Sequence, residues 1–195
     1  MLAAMKRFPR WGWIIGAAVA AAILFLPVLS TLRFEWAYRR AAPWLAPCAE
    51  RYGLPPRLVA AVAWQESRFR AGKRGAAGER GLMQVTEPAG REWARAEGLP
   101  GFAGDDLLDP RTNLCAGAWY LARAVRRWQD RPDALAVALA EYNAGPSNAR
   151  RWASAETGEP GTNVLRTITY PATRAYVRDV LRRARCGAAA PIHDP

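Results

Sequence analysis

The sequence predicts a mostly α-helical protein, in which one apolar N-terminal helix precedes a domain of short helices. Three observations favour this fold class. No stretch sustains the alternation of apolar and polar residues that marks a β-strand. Proline and glycine bound several segments whose apolar residues recur with helical spacing. The chain of 195 residues is 51% hydrophobic, which is enough for one well-buried domain and a short appendage.

The first helix is predicted at residues 11–32, WGWIIGAAVAAAILFLPVLSTL, which carry no charge. An uncharged helix of this length can span a hydrocarbon core about 30 Å thick. Lys6, Arg7 and Arg10 precede it and favour a cytoplasmic N-terminus, with the rest of the chain exported. A cleaved signal peptide is the alternative, because residues 28–30 resemble a small-x-small cleavage site. We favour an uncleaved transmembrane anchor, since the apolar run exceeds the usual signal core of about 7–15 residues.

The next helix is predicted to begin at the consecutive prolines Pro55 and Pro56, because proline suits the first turn of a helix. The run RLVAAVAWQESRF then continues without a helix breaker. Residues 71–81, AGKRGAAGERG, carry glycine at every third position from Gly72 onwards. This spacing, with no apolar periodicity, predicts a flexible loop.

Four further helices are predicted from residues that start or stop helices. In chain order these residues are Thr86 and Gly98, Asp109-Pro110, Gly145-Pro146, and Pro171 and Gly187. The segment PDALAVALAEYNA before Gly145 is nearly all apolar. We therefore expect that helix to be buried on all sides.

The net charge is strongly positive. Lys and Arg number 28 against 17 Asp and Glu, and the formal net charge is +11. Such a chain can bind nucleic acid, an anionic membrane or an acidic polymer. No basic stretch has the aromatic or zinc-ligand spacing of a nucleic-acid-binding module, so we expect no nucleic-acid partner.

Histidine and cysteine usage narrows the chemistry. His193 is the only histidine and lies near the C-terminus, which argues against catalytic zinc and against a histidine-activated nucleophile. We expect neither a metal nor a cofactor. The three cysteines, Cys48, Cys115 and Cys186, predict one disulfide and one spare thiol in an exported protein.

A single carboxylate interrupts the apolar face of the helix after Pro56. Leu58, Val62 and Glu66 are four residues apart, so they lie on one stripe that points toward the core or a cleft. Glu66 can form an ordinary helix-end ion pair with Arg68 or Arg70. Alternatively, a desolvated carboxyl has a raised pKa and can serve as a catalytic acid.

Five blocks carry a resemblance to a known family. They are AWQESRFR at 63–70, GLMQV at 81–85, DPRTNLCAGAWYL at 109–121, EYNAGPSNARRW at 141–152 and TRAYVRDVL at 173–181. In this order and spacing they resemble the soluble lytic transglycosylase (SLT-type) family of lysozyme-like peptidoglycan enzymes. The resemblance implies a lysozyme-like catalytic domain at residues 45–186. The residues around it divide into a cytoplasmic segment (1–10), the anchor (11–32), a linker (33–44) and a tail (187–195).

The resemblance implies that Glu66 is the catalytic carboxylate. It would first protonate the oxygen of the β-1,4 bond between MurNAc and GlcNAc. It would then take the proton of the muramic acid 6-hydroxyl, which attacks its own anomeric carbon and leaves a 1,6-anhydro sugar. The substrate's N-acetyl group would meet the oxocarbenium charge. A lysozyme-like muramidase and a non-catalytic peptidoglycan-binding module are the alternatives.

The resemblance also implies substrate-binding roles for Gln84, Tyr142 and Asn143, with Tyr176 lining the cleft. Each has a structural alternative. Gln84 can cap loop backbone, Tyr142 can fill the core, and Asn143 can serve as a helix C-terminal residue. Tyr176 can pack beneath the cleft. Ser67 and Asn113 are expected to be structural.

The sequence departs from the family pattern at three positions. Gly75 stands where many relatives have a serine that contacts the substrate N-acetyl group, and Thr86 stands where relatives often have methionine. Glu141 replaces a small residue before Tyr142. We expect Glu141 to be a solvated helix charge. If it faced Glu66 instead, a second carboxylate would allow hydrolysis.

The resemblance further favours a disulfide between Cys48 and Cys115 over one between Cys48 and Cys186, because some relatives carry cysteines near the first two positions. The implied partners are peptidoglycan glycan strands and the inner membrane. A single-pass protein with its catalytic domain in the periplasm could remodel the wall or open it for a secretion or conjugation machine.

Overall fold

The computed structural model describes residues 10–155 and 164–185, apart from a few side chains of the first helix. The chain divides into two compact units, Met1–Arg40 and Ala41–Pro195. The predicted cytoplasmic segment before residue 10 and the tail at 187–195 lie outside the described residues, as do Cys186 and His193.

The described residues form seven α-helices and two short 3₁₀ turns. The helices are α1 (Arg10–Arg51), α2 (Pro56–Ser67), α3 (Glu87–Ala96), α4 (Pro110–Arg127), α5 (Ala134–Ala144), α6 (Pro146–Ser154) and α7 (Pro171–Arg185), and the 3₁₀ turns are Gly104–Leu108 and Val164–Arg166. Over these ranges the β structure consists of isolated bridges from Arg80 to Arg74 and to Val85. The prediction of a mostly helical fold is confirmed.

Helix α1 is continuous from Arg10 to Arg51. Residues 33–44, predicted as a linker, lie inside this helix. Within the described residues, no helix combines the length and the hydropathy needed to cross a membrane.

Capping residues set the helix starts where the sequence predicts them. The Thr86 side chain accepts a hydrogen bond from the Ala89 N–H at 3.5 Å, and Asp109 accepts one from the Thr112 N–H at 2.8 Å. Each satisfies an N–H that the first turn of a helix leaves unpaired. Helix α5 ends at Gly145, whose φ of 84° is a left-handed value that glycine adopts without strain. These predicted boundaries are confirmed.

Helix α5 lies at the centre of the second unit. Its residues 136–141 are all buried, and it contacts α4, α6 and α7. Helix α2 packs mainly on α7 and less extensively on α4. Helices α2 and α5 therefore share α7 as a neighbour.

The loop between α2 and α3 is closed by backbone hydrogen bonds. Gly81 N–H donates to Lys73 O at 2.9 Å, and Arg80 and Val85 exchange hydrogen bonds of 2.9 and 3.0 Å. The prediction that residues 71–81 form a flexible loop does not anticipate these bonds.

Asn113, on α4, holds the same loop from outside. Its Oδ1 accepts from Met83 N–H at 2.7 Å, while its Nδ2 donates to Arg80 O at 2.7 Å and to Leu107 O at 2.8 Å. A Cβ at Gly81 would collide with the Asn113 amide. The expected structural role of Asn113 is confirmed.

A disulfide joins Cys48, in the last turns of α1, to Cys115 in α4. The predicted pairing of these two cysteines is confirmed. The bridge closes a loop with a sequence separation of 67.

Candidate active site

A cavity of about 600 Å³ opens between the end of α2, the following loop and the end of α5. Its volume is within the range of ligand sites in proteins. Its lining residues are Glu66, Lys73, Arg74, Gly75, Ala76, Glu79, Gln84, Thr86, Tyr142 and Asn143. Four of the five predicted site residues thus lie on one cavity wall.

Glu66 is the penultimate residue of α2, a helix whose other residues from Leu58 to Trp64 are buried. Burial raises the pKa of Glu66 from 4.5 to about 6. Interaction with the nearby Tyr176 hydroxyl and with the Lys73 ammonium opposes this rise of the pKa, and the charge of Glu79 adds to it. Glu66 can therefore hold its proton close to neutral pH.

The predicted alternative of a helix-end ion pair is wrong. The Arg68 guanidinium donates to Trp64 O at 2.6 Å and to Gln65 Oε1 at 3.3 Å. Arg70 Nε donates to Ser67 O at 3.1 Å. Neither arginine pairs with the Glu66 carboxyl in the described structure, so the carboxyl is left facing the cavity.

Left-handed backbone occurs just after Glu66 and at Gln84, on two sides of the cavity. Arg68 and Phe69, directly after α2, have φ values of 56° and 58°, and Gln84 has a φ of 49°. Residues other than glycine pay a steric cost in this region. Helix α2 therefore ends abruptly after Ser67, whose Oγ donates back to Ala63 O at 3.1 Å. The expected structural role of Ser67 is confirmed.

Two tyrosine hydroxyls lie near Glu66. The Tyr142 hydroxyl donates to Met83 O at 2.9 Å. The Tyr176 hydroxyl is buried and interacts with the Glu66 carboxyl, but it has no partner at normal hydrogen-bond geometry among the described residues. Burial and the charge of Glu66 raise the pKa of both tyrosines well above 10. Both hydroxyls therefore remain neutral donors. Tyr176 does not line the cavity itself, but its hydroxyl interacts with Glu66, which does.

Gln84 and Asn143 combine structural bonds with exposure to the cavity. Gln84 Nε2 donates to Gly81 O at 2.8 Å and to Lys73 O at 3.2 Å. Asn143 Oδ1 accepts from Thr173 Oγ1 at 2.8 Å. The structural roles weighed for these residues are thus present, and both side chains also line the cavity.

Glu141 is not the solvated helix charge that the sequence predicts. It is 3% exposed, and its carboxylate accepts from Arg127 Nη1 at 2.6 Å and from Trp128 Nε1 at 2.7 Å. It lines a separate space of about 130 Å³ and is not part of the wall that carries Glu66. Arginine and tryptophan at the end of α4 therefore compensate its burial.

Sequence reasoning missed Lys73 and Glu79. The Lys73 ammonium donates to the backbone carbonyl of Glu66, and both side chains line the cavity. One indication was available for Lys73, since the only other lysine in the chain is Lys6. Glu79 stands in the loop with no periodicity to mark it.

The chain is similar in sequence and fold to known peptidoglycan enzymes. Residues 46–165 match the family described as Transglycosylase SLT domain. The membrane-bound lytic murein transglycosylase F of Pseudoalteromonas translucida is 34% identical over 122 residues, which cover 60% of this chain and 24% of that protein.

Two solved structures are also similar. One is an inactive variant of lytic transglycosylase Slt from Pseudomonas aeruginosa in which a Glu is replaced by Gln, with a TM-score of 0.66, 30% identity, and coverage of 73% of this chain and 23% of that one. The other is the 70 kDa soluble lytic transglycosylase of Escherichia coli, with a TM-score of 0.62, 27% identity, and coverage of 71% and 23%. The present chain spans about a quarter of the length of each relative.

Proposed function

Since the chain belongs to the Transglycosylase SLT family, we propose that it is a lytic transglycosylase of peptidoglycan. The bond cleaved is the β-1,4 bond between MurNAc and GlcNAc. The observation that carries the proposal is Glu66, a carboxyl with a pKa raised to about 6 on the wall of a sugar-sized cavity. The inactive Glu-to-Gln variant of the Pseudomonas relative supports a carboxyl as the essential group.

Glu66 serves as acid and then as base. Its proton passes to the glycosidic oxygen as the bond from that oxygen to the muramic acid C1 breaks. The substrate's own N-acetyl group stabilises the positive charge at C1. The 6-hydroxyl oxygen then bonds to C1 and its proton returns to Glu66. No water is consumed, and the product is a 1,6-anhydro-muramoyl end.

Neighbouring groups make both protonation states of Glu66 accessible. Burial favours the neutral acid before the first transfer, whereas Tyr176 and Lys73 favour the carboxylate that exists between the two transfers. Gln84, Tyr142 and Asn143 hold the sugars against Glu66. Rigid placement of this kind supplies a large part of the rate enhancement in enzymes.

The protein acts at the periplasmic face of the inner membrane, anchored by residues 11–32. The uncharged run and the basic residues before it support this topology. The relatives named membrane-bound lytic murein transglycosylase F also support it. Sodium carbonate extraction should leave the protein in the membrane fraction. N-terminal sequencing of mature protein that began near Thr31 would instead establish cleavage. A wall-opening role beside a secretion or conjugation machine is consistent with this location.

Product mass tests the reaction. Purified sacculi are digested with the full-length protein in detergent, and the released muropeptides are analysed by mass spectrometry. Anhydro ends are expected. Reducing ends alone, which are heavier by one water, would establish a muramidase, and the absence of new ends would establish a binding module.

A further inference from the structure

Glu79 is a second carboxylate in the cavity that holds Glu66. Both side chains line its wall, and the charge of Glu79 acts on Glu66. Its position depends on Gly75. A Cβ at position 75 would collide with Glu79 Oε2 and would lie 3.1 Å from Gln84 Oε1. The missing side chain at Gly75 therefore makes room for the Glu79 carboxylate beside Gln84.

The loop fixes this carboxylate in place. Gly75 N–H donates to the backbone carbonyl of Glu79 at 2.7 Å, and Ala77 N–H donates to its side-chain Oε2 at 3.0 Å. The next residue, Arg80, is held by the backbone bonds to Val85 and by the Asn113 amide. Glu79 Oε1 accepts no hydrogen bond from the described residues, so one oxygen is available to a molecule in the cavity.

Small polar molecules have room to reach this position. The cavity of about 600 Å³ can hold water beside a sugar. Because Glu66 and Glu79 both line it, water in the cavity has access to both carboxyl groups.

We propose that Glu79 acts as a base toward water in this cavity, so that a fraction of the cleavage events ends in hydrolysis. The inference rests on the proposed lytic transglycosylase function, which it extends by a second product. Hydrolytic glycosidases likewise use two carboxyl groups in one site, one as the acid and the other as a base toward water or as the nucleophile.

The hydrolytic step balances with water as the only added reactant. Glu66 gives its proton to the glycosidic oxygen, and the bond between that oxygen and C1 breaks. The water oxygen bonds to C1 while one water proton passes to Glu79. The products are a reducing muramoyl end and a free 4-hydroxyl. Proton exchange with solvent then restores both carboxyl groups.

The test measures the ratio of new reducing ends to anhydro ends. Sacculi are first treated with borohydride to block existing reducing ends, then digested with the full-length protein and analysed by mass spectrometry. We expect the wild type to release both kinds of end. Because a general base typically contributes at least about 10²-fold, Glu79→Gln should lower the ratio by tenfold or more. Glu50→Gln makes the same change at an exposed position of α1 outside the cavity wall and should leave the ratio unchanged.

Each outcome separates the two proposals. Anhydro ends alone from the wild type, or an unchanged ratio in a folded Glu79→Gln variant, would overturn the role of Glu79 and leave the lytic transglycosylase function intact. Reducing ends alone, or no new ends, would overturn the proposed function. If Glu79→Gln does not fold, Gly75→Ala provides the second test, because its methyl group displaces the Glu79 carboxylate and should also lower the ratio.

Discussion

The carboxylate of Glu79 occupies the space that a side chain at Gly75 would need. This contact couples the two positions. Gly75→Ser, which restores the residue expected from the family, must push the flexible end of Glu79 aside. In a double-mutant cycle, the serine should therefore destabilise the protein less when Glu79 is alanine. We expect a coupling free energy of about 0.5–3 kcal/mol from urea unfolding. Strictly additive effects would refute the contact.

Glu66→Gln should abolish both proton transfers while keeping the shape of the side chain. Loss of a general acid–base group costs about 10²–10⁴ in rate, and here one group serves two steps, so we expect the upper end of this range. Release of anhydro-muropeptides is the measurement, with melting temperature as the folding check and Glu50→Gln as the charge-matched control. A folded variant within about tenfold of wild type would exclude the catalytic assignment.

The raised pKa of Glu66 also predicts how stability depends on pH. Between pH 4.5 and about 6 the native protein retains a proton that the unfolded chain has released, so the free energy of unfolding falls as pH rises. A rise of the pKa from 4.5 to about 6 corresponds to about 2 kcal/mol. The stabilisation is fully present below pH 4.5 and lost above about 6. Glu66→Gln lacks this contribution. The free energy of unfolding of the wild type minus that of the variant should therefore fall by about that amount between pH 4.5 and about 6. A difference independent of pH would show that Glu66 is not desolvated.

Tyr142→Phe should loosen the connection between α5 and the loop. The hydroxyl donates to the carbonyl of Met83, a fully buried residue, and its removal leaves that acceptor without the bond. The expected loss is about 1–3 kcal/mol in the free energy of unfolding, with a fall in activity. Tyr170→Phe removes a hydroxyl from a residue that is 45% exposed and should change stability by less than about 0.5 kcal/mol. Equal effects of the two variants would contradict this role of Tyr142.

The disulfide between Cys48 and Cys115 should be a major contributor to stability. For a sequence separation of 67, the constraint on the unfolded chain is worth about 4 kcal/mol. The double variant Cys48→Ala/Cys115→Ala should lose about 2–4 kcal/mol. Thiol titration of the unfolded, unreduced protein should find one free cysteine, and Cys186→Ser should remove it. A titre of three would refute the bridge.

Local rules account for the parts of the fold that the sequence predicts. A capping side chain or a proline acts within one turn, so Thr86, Asp109 and Pro171 mark their helices without any tertiary information. Helical spacing likewise places Glu66 on the apolar face of α2. These features need only neighbours in the chain.

Longer-range contacts account for the features that the sequence did not predict. Glu141 is buried because Arg127 and Trp128, 14 and 13 residues away in sequence, approach it when α4 packs on α5. No periodicity reveals that partnership. Lys73 and Glu79 reach the cavity only because the loop adopts one shape, and a loop without regular spacing carries no such information.

Asn113 determines whether the loop between α2 and α3 can keep its conformation when it is transplanted into another protein. The segment from Lys73 to Val85 depends on an amide that belongs to α4, about 30 residues further along the chain. A transplanted loop would therefore leave behind the group that dictates its conformation. A protein that receives this loop must have an asparagine at the equivalent position of its supporting helix. In a chimera joined between residues 86 and 113, the half with the loop and the half with Asn113 must be able to form the same hydrogen bonds.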